Sequence, residues 1–430
     1  MTLSARALAL DAIGRVIDEG AYSNRLLPAA LARSGLDRRD RAFATELTYG
    51  VLRARLRLDP AIEARASRPL ARMDARVAHL LRLGAYQLLE AGIAPHAAVG
   101  ETVALADGRS RGFVNAVLRR IADRPPPPPV GEDDGAIEGR TGLTRWAVRE
   151  LRSVLGDATE DAALALARRA PLCLRATGDV DGLRSRLEAA GHEVAPAAVD
   201  PSCVLLPGGA DPTELPGYAE GAFAIQDQAS AFVARTLGAV AGDLVADVCA
   251  APGGKAFALA ATVDPDGTGR GRVIAGDVRA RRLAAMRREA ARLGAAPVRV
   301  QLDARRPPLR PGSVDRVLVD APCSGIGSAR RRPELLWRVQ ASAVPTLAST
   351  QLAIATAAAD LVRPGGRFVY AVCTFPRAET EAVADLLAER RPDLRPVATD
   401  GPDGPAERHR LWPHEDGADG MFVAAFERAS

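Results

Sequence analysis

Lysine is almost absent from this chain of 430 residues: Lys255 is the only one, and every other long cationic side chain is arginine. A coding bias toward arginine and alanine accounts for most of that imbalance. Against it, the one lysine that remains marks a candidate functional position. Cysteine is also scarce. The five cysteines, Cys173, Cys203, Cys249, Cys323 and Cys373, are odd in number and widely spaced, and no C-x-x-C occurs. That pattern excludes a disulfide framework and a cysteine-based zinc site. The five histidines are scattered without metal-ligand spacing, so no metal is expected. No uncharged apolar run reaches about 18 residues, the length of a membrane-spanning helix, so no membrane partner is expected. The first residues, MTLSARALALDAIGRV, lack a signal-peptide core and carry Arg6 and Asp11, which predicts a cytoplasmic protein. Net charge is only +4. A nucleic-acid partner would therefore have to be read from local clusters rather than from the whole.

What is present is globular: 47% hydrophobic and 26% charged residues, in a length that implies two or three domains. Residues 1–123 carry apolar residues at helical spacing throughout, as in ALALDAIGRVI and VAHLLRLGAYQLLEAG, and predict an all-α bundle. The stretch RPPPPPVGEDDG follows, and residues 124–139 are expected to be a Pro-rich acidic linker. Residues 140–221 mix helical and strand-like segments and predict a small α+β region, expected to bind RNA or to connect the domains. From residue 222 to 430, short apolar runs alternate with helical stretches. Alternation of this kind predicts a mostly parallel sheet covered on both faces, a Rossmann-like α/β domain. The run FVAAFER is expected to be a last strand, antiparallel at the sheet edge.

In open α/β sheets ligands bind beyond the carboxyl ends of the strands. Here those ends read Cys249-Ala250-Ala251-Pro252-Gly253-Gly254-Lys255, then Asp277, Asp303, Asp320-Ala321-Pro322-Cys323, and Cys373. A Gly-rich turn opening a helix suits close approach of a ligand. Ala256 after Lys255 breaks the GxxxxGK[ST] pattern and disfavours a nucleoside triphosphate. Asp277 can accept hydrogen bonds from a ribose, or merely cap the helix that follows. Either cysteine alone could be a small hydrophobe. Together, at neighbouring strand ends, they supply a nucleophile and a proton acceptor. Methylation at carbon 5 of cytosine needs that pair, because a thiolate adding to C6 makes C5 nucleophilic. Asp320 is placed to assist at the N3/N4 edge of the base. These residues leave open which cysteine attacks. Arg330, Arg331 and Arg332 are candidate phosphate contacts, with a solvated face as the alternative. Trp337 could stack on a base or simply pack.

The segments DVCAAPGGK, DAPCSGIG, RRRPELLW, YAVCT and IQDQAS resemble the RNA cytosine-C5 methyltransferase family. GVLR, LRLGAYQLL and GFVNAVLRR in the first third resemble a NusB-like RNA-binding domain. The two together resemble the Sun/Fmu type, which acts on 16S ribosomal RNA. The resemblance implies S-adenosyl-L-methionine as cofactor, held by Cys249 to Lys255, Asp277, Asp303 and Asp320. It implies Cys373 as nucleophile and Cys323 as the group that removes the C5 proton and releases product. It implies 16S rRNA, or a partly assembled small subunit, as partner; a monomer is expected. Val372 departs from the Thr or Ser that usually precedes the nucleophile. The competing expectations are a non-catalytic RNA-binding or antitermination-type factor, a methyltransferase of another RNA, and a DNA cytosine methyltransferase, in which Cys373 would have no role.

Overall fold

The computed structural model describes residues 4–430; Met1 to Leu3, the first residues of the segment expected to lack a signal-peptide core, lie outside it. The chain divides into two compact units, residues 4–168 with 329–340, and residues 169–328 with 341–430.

The first unit is all helical. Its helices are α1 (Ala5–Asp18), α2 (Ser23–Ala32), α3 (Arg38–Glu63), α4 (Ala75–Leu89), α5 (Pro95–Ala104), α6 (Arg111–Asp123), α7 (Asp134–Thr141), α8 (Arg145–Leu155) and α9 (Thr159–Leu166). Side-chain oxygens of Ser4, Asp37 and Asp74 accept the free amides at the starts of α1, α3 and α4. Ile13, Leu47, Val51, Leu81, Val114 and Leu118 fill the shared core. The five prolines are irregular, but the acidic end of the expected linker is not: Asp133 caps α7, which starts at Asp134. Helices α7 to α9 pack with this unit, so the compact units divide at Arg168/Arg169.

Residues 329–340 also belong to the helical unit. Glu334, fully buried, accepts from the Ser23 amide at 3.1 Å and its hydroxyl at 2.6 Å. Trp337 donates to the Leu52 carbonyl at 2.8 Å, and the Arg55 guanidinium lies 4.1 Å over its ring. Of its two expected roles, Trp337 here takes the packing one.

The second unit begins with a small antiparallel sheet. Its strands are β1 (Leu172–Ala176), β2 (Ala195–Pro196), β3 (Cys203–Leu206) and β4 (Phe223–Ile225), in the order β2-β3-β1-β4, with helix α10 (Val180–Ala189) against it. The main sheet follows. Strands β5 (Leu244–Asp247), β6 (Arg272–Asp277), β7 (Val298–Gln301), β8 (Val314–Asp320) and β9 (Val362–Val372) are parallel, in the order β9-β8-β5-β6-β7. After β9 come β10 (Leu394–Pro396), the hairpin β11 (Thr399–Gly401) and β12 (Gly404–Ala406), β13 (Arg408–Leu411) and β14 (Met421–Arg428). Strand β14 runs antiparallel to β9, as expected, but not at the edge: β10 and β13 both pair with it. Helices α11 (Gln228–Thr236), α12 (Gly254–Val263) and α13 (Ala280–Arg292) share one core with Val369 and Ala371. Helices Val344–Ala359 and Glu381–Arg390 share the other with Phe368, Tyr370 and Val372. Alternate residues of β9 thus face opposite layers, the arrangement of a sheet buried on both sides. The fold is therefore a helical bundle, a small α+β region and a doubly wound α/β region with a mixed sheet.

Candidate active site

The parallel strands end together. Cys249 lies two residues past β5, Asp277 closes β6, Asp303 lies two past β7, Asp320 closes β8, and Cys373 directly follows β9. The register of β8 on β9 sets Asp320 opposite Ala371. The loops beyond then bring the Cys323 and Cys373 sulfurs to 3.4 Å. Contact with the Cys373 sulfur, and then burial, push the Cys323 thiol well above its ordinary value. Val372 pairs with Phe422 and is fully buried in the core, so the departure before Cys373 is a matter of packing.

Lys255 donates to Asp320 Oδ2 at 2.8 Å and to Ser230 Oγ at 3.4 Å. Burial works against its charge, but the Asp320 carboxylate outweighs burial and raises the ammonium above its ordinary value. Asp247, 1% exposed, accepts from the Cys249 amide through one oxygen and leaves the other without a partner. Burial, with the Asp320 charge adding to it, pushes Asp247 up to about 7. Burial likewise raises the Cys249 thiol.

The turn before α12 is bare backbone. Gly253 has φ +116°, and a methyl group there would run into the Phe257 ring. The other two carboxylates each hold an arginine. Asp277 pairs with Arg282 at 3.0 Å and also accepts the Arg279 amide at 2.8 Å, so the cap-like contact is made; Arg282 reaches the Ala251 carbonyl as well. Asp303 pairs with Arg305 at 2.7 Å, whose hydrogen bonds lower its carboxyl to about 2.

A model of the 16S rRNA methyltransferase RsmB/F family matches residues 234–427, and a model of the NusB family matches residues 3–123. Ribosomal RNA small subunit methyltransferase B of Vibrio cholerae is 34% identical over 99% of this chain and 98% of its own length. The protein of the same name from Salmonella newport is 32% identical over 97% of each. The chain belongs to the RsmB/F family. The crystal structure of PH0851 shares the fold over the full length of both chains, with a TM-score of 0.84 and 23% identity.

As an RsmB/F methyltransferase the chain takes S-adenosylmethionine. The residues present fit it: a glycine turn that a side chain would fill, the open N-terminus of α12, and Asp277 at the next strand end. Among the arginines expected to meet RNA, Arg330 is only 8% exposed, while Arg331 and Arg332 are half-buried.

Sequence reasoning passed over three parts of the site. Ser230 and Asp247 lie inside recognised segments but carried no reading of their own. The third is a triple backbone approach: the Gly327 amide donates to the Cys373 carbonyl at 3.1 Å, and the Gly420 amide donates to the Gly327 carbonyl at 2.9 Å. A methyl group on Gly327 would strike the Gly420 carbonyl oxygen. Gly327→Ala should therefore lower stability by about 1–3 kcal/mol through forced backbone displacement. Urea unfolding is the check, and an unchanged midpoint would show that the loop yields freely.

Proposed function

We propose that this protein transfers the methyl group of S-adenosylmethionine to carbon 5 of a cytosine in 16S rRNA through a covalent Cys373–C6 bond. The contact between the two sulfurs beside the Lys255–Asp320 pair is the observation that carries this reading. S-adenosylmethionine supplies an electrophilic methyl group. Cys373, as thiolate, adds to C6 of a base taken out of its stack. Asp320, steadied by Lys255, engages the N3/N4 edge, where addition gathers electron density. After C5 has taken the methyl group its proton leaves toward Cys323. The C5–C6 double bond re-forms and the Cys373–C6 bond breaks. The Cys323 sulfur, 3.4 Å from that of Cys373, is within reach of the same base for that step. Asp277 and Asp303 would serve the cofactor, and Arg331 and Arg332 the phosphates, with residues 1–123 binding RNA. The setting in this reading is cytoplasmic, with the protein acting as a monomer on 16S rRNA or a partly assembled small subunit. Among the described residues no helix is long and apolar enough to cross a membrane.

The test is transfer of tritiated methyl from S-adenosylmethionine to small-subunit rRNA, free and in partly assembled particles. Label is expected as 5-methylcytosine at one position by bisulfite sequencing. Label on another base, or on no RNA, would sink the reading.

A further inference from the structure

Glu379 is a carboxylate with no exposed surface, on a short 3-10 turn six residues beyond Cys373. Its Oε1 accepts from the Ser324 amide at 2.9 Å and from Gln351 Nε2 at 2.8 Å. Its Oε2 accepts from Ser324 Oγ at 2.6 Å. All three donors are uncharged. Burying a carboxylate among neutral donors costs more than filling the space with an apolar side chain, so stability is a poor reason for this residue.

The direction of the bonds gives a better one. Ser324 has a single hydroxyl hydrogen, which goes to Glu379. The 2.6 Å contact between Ser324 Oγ and Thr374 Oγ1 must then be donated by Thr374. Ser324 follows Cys323 and Thr374 follows Cys373. On the other side of Cys323, the Pro322 carbonyl accepts from the same Gln351 amide at 3.0 Å. One carboxylate thus fixes both neighbours of Cys323, directly and through Gln351, and fixes the neighbour of Cys373 through a one-way hydroxyl chain.

We propose that Glu379 is the positioning residue that sets the spacing of the two cysteines, acting through Ser324 and Thr374. Its effect on turnover rests on the cytosine-C5 reading; its effect on the sulfurs does not. Glu379→Gln keeps the shape but presents an amide N–H₂ to Ser324 Oγ, which must then accept from it and donate to Thr374, reversing the chain. Ser324→Ala and Thr374→Val cut it with less disturbance.

The first readout needs no RNA. Diamide takes one hydrogen from each of two adjacent thiols to form a disulfide and is itself reduced to the hydrazine. In the wild type a Cys323–Cys373 disulfide should form rapidly, scored by peptide mass. It should form about tenfold more slowly in each variant, since the thiols must meet in one geometry. Binding of S-adenosylmethionine by calorimetry should stay within twofold of the wild type. The second readout is kcat on rRNA, expected to fall about 100-fold for a misplacement near 1 Å. The Glu379→Gln/Ser324→Ala double variant should be no worse than the poorer single one. Wild-type disulfide rates in the variants, or multiplicative losses in the double variant, would overturn the proposal. If Glu379→Gln does not fold, Thr374→Val carries the same test. A slowed disulfide together with a wild-type protein that methylates no cytosine would keep the positioning role and reject the cytosine-C5 reading.

Discussion

Replacing Cys373 with alanine is expected to abolish methyl transfer and covalent capture of RNA together, lowering turnover by a factor on the order of 10³ or more. Cys323 sits 3.4 Å away, but in the proposed reading it serves the C5 proton and does not add to C6. Cys323→Ala should behave in the opposite way. Addition and methyl transfer proceed, but with no group to take the C5 proton the Cys373–C6 bond cannot break. A denaturing gel should then show a slowly migrating protein–RNA band in Cys323→Ala, little in the wild type and none in Cys373→Ala. If the band appears only in Cys373→Ala, the two roles are exchanged.

Lys255→Met should give the largest loss of stability. The ammonium is 9% exposed and is bound to Asp320 at 2.8 Å, with the buried Asp247 close enough for each to shift the other's proton affinity. Removing one member of a pair leaves a charge uncompensated, and because the Asp320 side chain keeps 29% of its surface exposed the cost should fall below the ~3–5 kcal/mol of a fully buried pair. The pH dependence identifies the cause. Asp247 already stands at about 7 in the folded chain against 3.8 unfolded, so its contribution to stability is lost as pH rises between those values. Loss of Lys255 removes a charge that lowers the Asp247 value, so that carboxyl rises further and its penalty grows most above pH 7. The melting-temperature gap between wild type and Lys255→Met should therefore be wide at pH 8 and narrower at pH 5.5. Lys255→Met/Asp320→Asn should recover part of it. A gap independent of pH would mean that lost packing, not charge, is responsible.

The strand ends were the legible part. Residues such as Asp277, Asp320 and Cys373 stand where a chain leaves a parallel strand, and period and composition alone place those exits. The place of β14 was legible in principle. Met421 to Phe426 are six consecutive buried residues, the mark of an interior strand rather than an edge. Glu379 was not legible. In RAETEA it stands two residues from the half-exposed Glu381, and a run of that kind normally reads as solvated; only the folded loops show that one of the two is sealed. Arg330 hid in the same way inside a basic triplet. Side-chain periodicity reports which face of a regular element is buried, and it is silent in loops.

The helical unit is continuous in space but not along the chain. Its residues 329–340 return to it from beyond Cys323, and Glu334 serves as the hydrogen-bond acceptor of Ser23, 311 positions earlier. No single cut in the gene releases this unit whole: a fragment ending at residue 168 leaves the Ser23 hydroxyl and the Leu52 carbonyl without their partners. Nor can the unit be transplanted as a cassette onto another catalytic body. Any fragment or graft that keeps the Ser23 and Leu52 contacts must also carry residues 329–340.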